Sequence, residues 1–400
     1  MAAWQPHLLL RKLKRFIMKI TRGFKVRGFI LAAAFSAGLG FATGVSAQAT
    51  HSYLVDLNSK TVTDIGTLGG NDTSAYGIND AGQVVGDSAT SGGVNHAFIT
   101  GADGIGMRDL GTLGGTATGI NVTGQVAGWS DTSEGVNHAF ITGPDGMGMK
   151  DLGTLGGTYS SASDINDAGQ VVGDSVTVGD TPHAFITGPD GMGMRDLGTF
   201  GDDKNSSASD INNAGQVVGL SYTDGNTPHA FITGPDGMDM RDLGTLGGDY
   251  SWAYGINDAG QVVGWSYTAG GAIHAFITGP NGIGMRDLGT LGGTDGFDFS
   301  RASGINDAGQ VVGDFVMVGG STHAFVTGLD GAGMMDLNSL VDLPDGLVLE
   351  QATGINNSGQ VVAIGTIPEP EIYVLLLSGL ALVGFIARRK KMGGEAFSPG

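Results

Sequence analysis

Short apolar runs, each closed by glycine, aspartate or asparagine, return along this chain in one fixed order. The first is INDAGQVVG, from Ile78, Ile165, Ile256 and Ile305, with altered copies from Ile120 (INVTGQVAG), Ile211 (INNAGQVVG) and Ile355 (INNSGQVVA). The second is HAFIT or HAFVT, from His96, His138, His183, His229, His274 and His323, with HSYLV from His51 in step. The third is DLGTLGG, from Asp109, Asp151, Asp242 and Asp287, with degenerate copies from Asp64, Asp196 and Asp336. From the end of the first run to the histidine is always 10 positions, and from the histidine to the apolar residue of the third run always 14. Only the step from the third run to the next Ile-Asn varies, between 5 and 13 positions. The chain is therefore a seven-unit repeat in which one loop per unit absorbs every insertion.

Within a unit the runs predict four short strands, placed in the third unit at 161–166, 170–175, 183–187 and 194–199. Asn166 and Asp167 tolerate a tight bend that Gly169 completes, and Gly188-Pro189-Asp190-Gly191 is a hairpin turn. Four antiparallel strands in about 45 residues is the size of a propeller blade. A blade is covered on both faces, so its strands need no clean apolar–polar alternation, and QVVG and HAFI have none. Every unit carries alanine three places before its Ile (Ala75, Ala117, Ala162, Ala208, Ala253, Ala302, Ala352), as a strand crowded around an axis requires. That strand is A, the innermost; GQVVG is B, HAFIT is C and MxDLGTL is D. The expected fold is all-β, a seven-bladed β-propeller over 48–366. Six blades run from Ser74 to about Asp342. The seventh takes strands A and B from 352–364 and strands C and D from 51–68, which removes the open edge. A parallel β-helix is the alternative; it needs shorter coils and a regular ladder period, which spacings of 10 and 14 do not suggest.

This phase puts the D-to-A and B-to-C loops on one face and the NDAG and GPDG turns on the other. The turns are nearly invariant, whereas the loops carry the length variation and most of the aromatic variation: Tyr159, Trp252, Tyr254, Phe297 and Phe299 near D-to-A, and Trp129, Tyr222, Trp265 and Tyr267 near B-to-C. Binding residues on rigid scaffolds favour such loops. The candidate ligand site is therefore Trp252, Tyr254, Asp295, Phe297, Asp298, Phe299 and Arg301.

Each histidine starts strand C and falls opposite an aspartate of strand D: His96 with Asp109, His138 with Asp151, His183 with Asp196, His229 with Asp242, His274 with Asp287. A ring N–H donated to a carboxylate fixes a tautomer and ties C to D, a structural role. Zinc needs three or four ligands around one point, and one histidine per blade cannot supply them. Calcium is faintly suggested by the oxygen-rich stretch from Asp164, but five units replace that aspartate by glycine and no bidentate glutamate follows. There is no G-x-S-x-G elbow, and nearly every acid is a repeat copy. No catalytic residue, metal or cofactor is expected.

Charge and composition locate the protein more than they explain it. The net charge is −19, but between His51 and Gly365 there are 36 acids against 8 bases. Such a body repels nucleic acid. The absence of cysteine excludes disulfides and thiolate chemistry and agrees with export. Residues 1–28 hold eight Lys or Arg and no acid, 29–44 are apolar and small, and Val45-Ser46-Ala47 suits a signal peptidase. The reading is a signal peptide over 1–47, helical in its apolar part and cut after Ala47; Met18 offers a second start, in which case 1–17 are not translated. At the other end Pro368-Glu369-Pro370 breaks the repeat, 372–387 is a continuous apolar run, and Arg388-Arg389-Lys390-Lys391 follows. With flanking residues this run approaches the ~20 residues of a membrane-spanning helix, its basic end held in the cytoplasm.

The order Pro-Glu-Pro, apolar helix, basic cluster resembles the PEP-CTERM sorting signal of Gram-negative bacteria, over 367–391, although the tail 392–400 extends past the place where that signal normally ends. The resemblance implies processing by an exosortase and delivery outward. The His-Ala-Phe units resemble the HAF family of extracellular repeats over 51–365, a family that brings no assigned activity. The expected function is a secreted or cell-surface, non-catalytic protein that binds a glycan, such as an exopolysaccharide, or a surface protein through the loop face. The competing expectation is an extracellular carbohydrate-active hydrolase or lyase, for which Asp202, Asp203, Asp295 and Asp298 are the acids without repeat counterparts. A passive spacer in the matrix is the third.

Overall fold

The computed structural model describes residues 50–202, 204–292 and 299–367, which form seven four-stranded antiparallel sheets. Blade 3 is representative: strand A Gly156–Ile165, B Val171–Thr177, C Pro182–Gly188 and D Met192–Gly198, hydrogen-bonded in that order. The A strands of neighbouring blades pack against one another around the axis. Their seven alanines are at most 1% exposed, so the small side chain is what lets the strands converge.

Blade 7 is composite. Its strands A (Val348–Ile355) and B (Gln360–Thr366) come from the end of the repeat region, and its strands C (Thr50–Asp56) and D (Thr61–Asp64) from the start. Strand C pairs with strand B without a break from Thr50↔Thr366 to Asp56↔Gln360. The ring thus closes by ordinary ladder hydrogen bonds and leaves no inner or lateral edge to template aggregation.

The core is a set of cores between blades. Ala127, Ala139 and Ile141 of blade 2 pack against Ala162, Ile165, Val171 and Phe185 of blade 3, and the same set recurs around the ring. The doubled valine explains itself here. Val171 points toward blade 2 and Val172 toward blade 4, so each strand B fills two cores. The phenylalanine of each His-Ala-Phe run is at most 2% exposed, a burial that stabilises by roughly 2–3 kcal/mol per ring.

In blades 1–6 two glycines are required by close approach, whereas blade 7 carries Ala363 at the second position. A Cβ on Gly173 would lie 2.0 Å from the carbonyl oxygen of Ser161, and Gly169 combines φ of +72° with a backbone nitrogen of Asp190 2.9 Å from its Cβ position. The turn-face end of strand A carries the asparagine of the first run, and its side-chain amide donates to the backbone carbonyl of the same asparagine in the next blade. Asn79 donates to Asn121, Asn121 to Asn166, Asn166 to Asn212, Asn212 to Asn257, Asn257 to Asn306, Asn306 to Asn356, and Asn356 to Asn79, at 3.0–3.2 Å. Farther out, Arg241 and Arg286 of strand D donate to the turn carbonyls of Asn281 and Asp330 in the following blade.

Two expectations shift. Strand A of blade 3 begins at Gly156 rather than 161, because the Gly-Gly pair continues the ladder to Thr177 across a bulge. Strand D shrinks to two residues in blades 1, 2, 4 and 6, as an outermost strand with no further partner can. Among the described residues no helix is long and apolar enough to cross a membrane. The expected signal segment, the apolar run 372–387 and the residues Pro368, Glu369, Pro370, Arg388 and Arg389 lie outside the described residues.

Candidate functional site

The histidines are accounted for first. Nδ1 of His96, His138, His183, His229, His274 and His323 lies 2.8 Å from a carboxylate oxygen of Asp109, Asp151, Asp196, Asp242, Asp287 and Asp336 respectively, and His51 lies 3.1 Å from Asp64. The other oxygen of the aspartate accepts the backbone N–H two residues on, as Asp196 does from Gly198 at 2.7 Å. Each pair therefore pins the start of strand C to the exit of strand D, one pair per blade and far from the axis. Among the described residues no group of three or more His, Asp or Glu is placed to hold a metal ion.

The repeat breaks its own symmetry on the axis. On the loop face the axis opens into a bowl of about 450 Å³, within the range of roughly 300–1,000 Å³ typical of small-ligand sites. Side chains of strand A line it. Blades 5, 6, 7 and 1 form one arc with Trp252, Tyr254, Arg301, Gln351 and Tyr76 beside Ser303 and Thr353; blades 2, 3 and 4 form the other with Thr118, Ser161, Ser163, Ser207 and Ser209. Hydroxyls line both walls, and flat apolar rings with polar edges stand on one wall alone.

The aromatic wall continues outward along blade 5. Trp252 stacks on Tyr254 with centroids 5.6 Å apart and planes at 19°, and Trp252 meets its cross-strand partner Trp265 at 6.3 Å. Trp265 meets Tyr267 at 5.9 Å, and Tyr267 meets Tyr250 at 5.5 Å. Five rings thus lead from the neck of the bowl to the loop-face surface. Trp265 donates from Nε1 to the Tyr254 hydroxyl at 3.4 Å, while Nε1 of Trp252 is buried with no partner among the described residues.

Carboxyls surround the bowl. Arg301 reaches Asp314 on the adjoining strand, with Nε and a terminal guanidinium nitrogen each 3.0 Å from Oδ1; that carboxylate is 3% exposed. Burial pushes the Asp314 carboxyl up and Arg301 pulls it partly back. Asp174 holds the same position in blade 3 and has no cation; burial pushes it up to about 6, with Ser207 of the next blade as its hydrogen-bond donor. Asp87 in blade 1 is likewise raised by burial, against hydrogen bonds from Tyr76, Thr116 and Asn95.

Immediately below Ser163 and Ser209 stand Asp164 and Asp210. They replace the glycine of the other five units. Asp210 accepts from the backbone N–H of Ile211 at 2.7 Å and of Ile256, in the next blade, at 2.8 Å. Asp164 hydrogen-bonds Asp210, and burial first, then the charge of Asp210, holds the Asp164 carboxyl well above the usual carboxylate range. Asp164 and Asp210 thus form a carboxyl pair that the other five units lack, each next along strand A to a serine that lines the bowl.

Of the residues singled out from sequence, the structure gathers Trp252, Tyr254 and Arg301. It places them on strand A facing the axis, not on the loops, because strand A has no inner neighbour strand to cover its side chains. Phe299 stands at the start of strand A in blade 6, outside the bowl lining, its carbonyl accepting from Val316. Asp295, Phe297, Asp298 and Asp203 lie outside the described residues, and Asp202 is exposed. Sequence reasoning missed Tyr76, Gln351 and Asp210, and weighed Asp164 only as a calcium ligand. The signal was present: Tyr76 stands where most units carry Ser or Thr, and the two aspartates stand where the other five carry Gly. The opposite mouth of the axis, about 380 Å³ and lined by Ile, Asn and Asp of the turns, keeps the repeat almost unaltered.

No curated protein matches this sequence. Among solved structures the chain is similar to the β-propeller domain of the Trilobed protease from Pyrococcus furiosus (11% identity, 74% of this chain and 92% of that one, TM-score 0.49). It is also similar to a TolB structure from Agrobacterium tumefaciens (8%, 81% and 100%, TM-score 0.48). Against TolB from Acinetobacter baumannii it shows 12% identity over 62% of its own length and spans 65% of that chain, with a TM-score of 0.42. Residues 366–391 match the PEP-CTERM protein-sorting motif, which implies processing by an exosortase and export to the cell envelope or surface.

Proposed function

We propose that this is a secreted or cell-surface repeat protein of the HAF type that binds a glycan, without catalysis, in the bowl at the loop-face end of its axis. The observation that carries this reading is the departure from the repeat at one place only along the axis. An arc of Trp252, Tyr254, Tyr76, Arg301 and Gln351 faces an arc of hydroxyls. Aromatic faces stack on the C–H faces of sugar rings, and hydroxyl and amide groups match a polyol. The cation Arg301 is already matched by Asp314, and Asp87, Asp174, Asp164 and Asp210 stand nearby. A polyanionic chain is therefore disfavoured, and a neutral or amino-bearing glycan fits.

Signal peptidase at Ala47 and exosortase at the C-terminal motif are the processing partners in this reading, and the apolar run 372–387 is the anchor before processing. A glycan array probed with the exported protein, read together with release of new reducing ends, tests it. Binding to neutral glycans without turnover supports the proposal; absence of binding on the array and to the producer's own exopolysaccharide removes it. The runner-up is a hydrolase or lyase on the same scaffold, and the Asp164–Asp210 carboxyl pair beside the bowl, with Asp164 raised by burial and by the charge of Asp210, is its support. Turnover abolished by Asp164→Asn would favour that second reading.

A further inference from the structure

Blade 5 carries more aromatic surface than its fold uses. Its strand A (Gly247–Ile256) holds Tyr250, Trp252 and Tyr254, and its strand B (Val262–Thr268) holds Trp265 and Tyr267. The matching positions of blade 3 read Tyr159, Ser161, Ser163, Asp174 and Val176, and no other unit has more than one ring among the five. Alternation along the two strands puts the rings on one face of the sheet. Ala253, between Trp252 and Tyr254, fills the core against blade 4, so the rings take the other face. None of them joins the cores on either side of the blade. Tyr250 is 38% exposed and the other four are half-buried. Large rings gathered in one patch, partly in water and outside the core, mark a surface made to be covered by something else.

The patch is continuous with the bowl. Trp252 and Tyr254 line it, Trp265 stands across the ladder from Trp252, and Tyr267 and Tyr250 carry the row outward, with neighbouring centroids 5.5–6.3 Å apart. That step is comparable to one hexose along an extended chain. We propose that blade 5 prolongs the bowl into a track for a linear neutral glycan, with one end of the chain seated at the axis and the following sugars laid over Trp265, Tyr267 and Tyr250. The proposal rests on the bowl being the glycan site argued above. A disaccharide is held by the bowl alone, whereas a longer chain gains a stacking contact for each further ring it reaches. Three of the rings carry a hydroxyl and two an indole N–H, so every step pairs a flat apolar face with a polar edge, as a sugar does. From Trp252 outward successive planes tilt by 41°, 74° and 58°, which suits a chain whose sugars turn about its axis.

Calorimetric titration of the full chain with ladders of neutral β-glucan, mannan and the producer's exopolysaccharide, each from disaccharide to hexasaccharide, tests the track. In a ladder that binds, the affinity should rise about tenfold or more from the shortest member to the longest. Tyr250→Ala with Tyr267→Ala, both outside the bowl lining, should cut that rise to less than about twofold, while Tyr250→Phe with Tyr267→Phe keeps it. Tyr159→Ala, which removes the lone ring from the matching position of blade 3, is the control and should leave the ladder as in the parent. Equal affinity along a ladder that binds, or a rise that survives the loss of both rings, overturns the track and leaves the bowl standing. Self-association in sedimentation that the double alanine variant abolishes assigns the rings to contact between copies, and overturns the track as well. No binding by any member of the three ladders removes the bowl, and the track with it.

Discussion

The side-chain amide of Asn356 donates to the backbone carbonyl of Asn79 at 3.0 Å, across 277 positions of the chain. It is the last of seven equivalent contacts around the axis and joins the composite blade 7, already closed by its own ladder, to blade 1. The same residue's Oδ1 accepts from the backbone nitrogens of Ser358 and Gln360 at 3.1 and 2.9 Å, so one side chain shapes its own turn and latches the next blade. Asn356→Ala leaves the buried Asn79 carbonyl without its donor and the backbone N–H groups of Ser358 and Gln360 without their acceptor, at a cost of about 2–4 kcal/mol. Urea unfolding should show a lower midpoint at an unchanged slope.

Asp174 gives the fold a pH dependence of definite sign. Its folded carboxyl is pushed up to about 6 from 3.8, so the folded state keeps a proton that the unfolded chain releases. Stability from this group is complete below about pH 4 and is lost as pH rises to about 6. At about 1.4 kcal/mol per unit the loss is up to about 3 kcal/mol. Asp174→Asn should flatten the unfolding free energy between pH 4 and 7 and leave the variant more stable than the parent at pH 7. Asp164, raised by burial and by Asp210, contributes a slope of the same sign that this variant retains.

Arg301 lines the bowl but also neutralises a carboxylate that is 3% exposed. Arg301→Met leaves Asp314 buried without a partner and should destabilise by about 3–5 kcal/mol at pH 7. The deficit should shrink in acid, where Asp314 takes up a proton. Adding Asp314→Leu, the residue type blade 4 carries as Leu220, should recover most of the loss in a double-mutant cycle read by thermal unfolding.

The composite blade can be locked. Thr50 and Thr366 face each other at the end of the ladder between strands C and B of blade 7, at a Cα separation of about 4.5–5.5 Å for an antiparallel pair, which suits a disulfide. Thr50→Cys with Thr366→Cys should oxidise readily, shift mobility on a non-reducing gel, and raise the unfolding temperature. The pair Thr50→Cys with Val178→Cys, from different blades, should not cross-link.

The ring was legible in sequence because repetition fixes it. Constant spacings of 10 and 14, an alanine at one place in every strand A and a half-unit at each end leave a closed propeller as the fold in which every edge is paired. The site was legible in part, for a physical reason. Trp252 and Tyr254 stand out as rings, but they were sought on loops, where the repeat varies in length. Strand A was read as crowded and closed by its alanines, yet alternate residues of the same strand face the open axis. Asp164 stands out against the glycine of five other units but reads only as a weak calcium ligand, because its contact with Asp210 of the next blade leaves no trace in the spacing of the repeat.

The most direct test of the bowl uses its own indoles. Within the propeller the tryptophans are Trp129, Trp252 and Trp265, and the last two form the aromatic wall. In a Trp129→Phe background, titration with neutral oligosaccharides cut from the producer's exopolysaccharide should change the emission saturably, and Trp252→Ala should abolish the change while the protein remains folded by circular dichroism. An emission that stays flat throughout, or a saturable change that survives Trp252→Ala undiminished, would contradict a ligand seated at the axis.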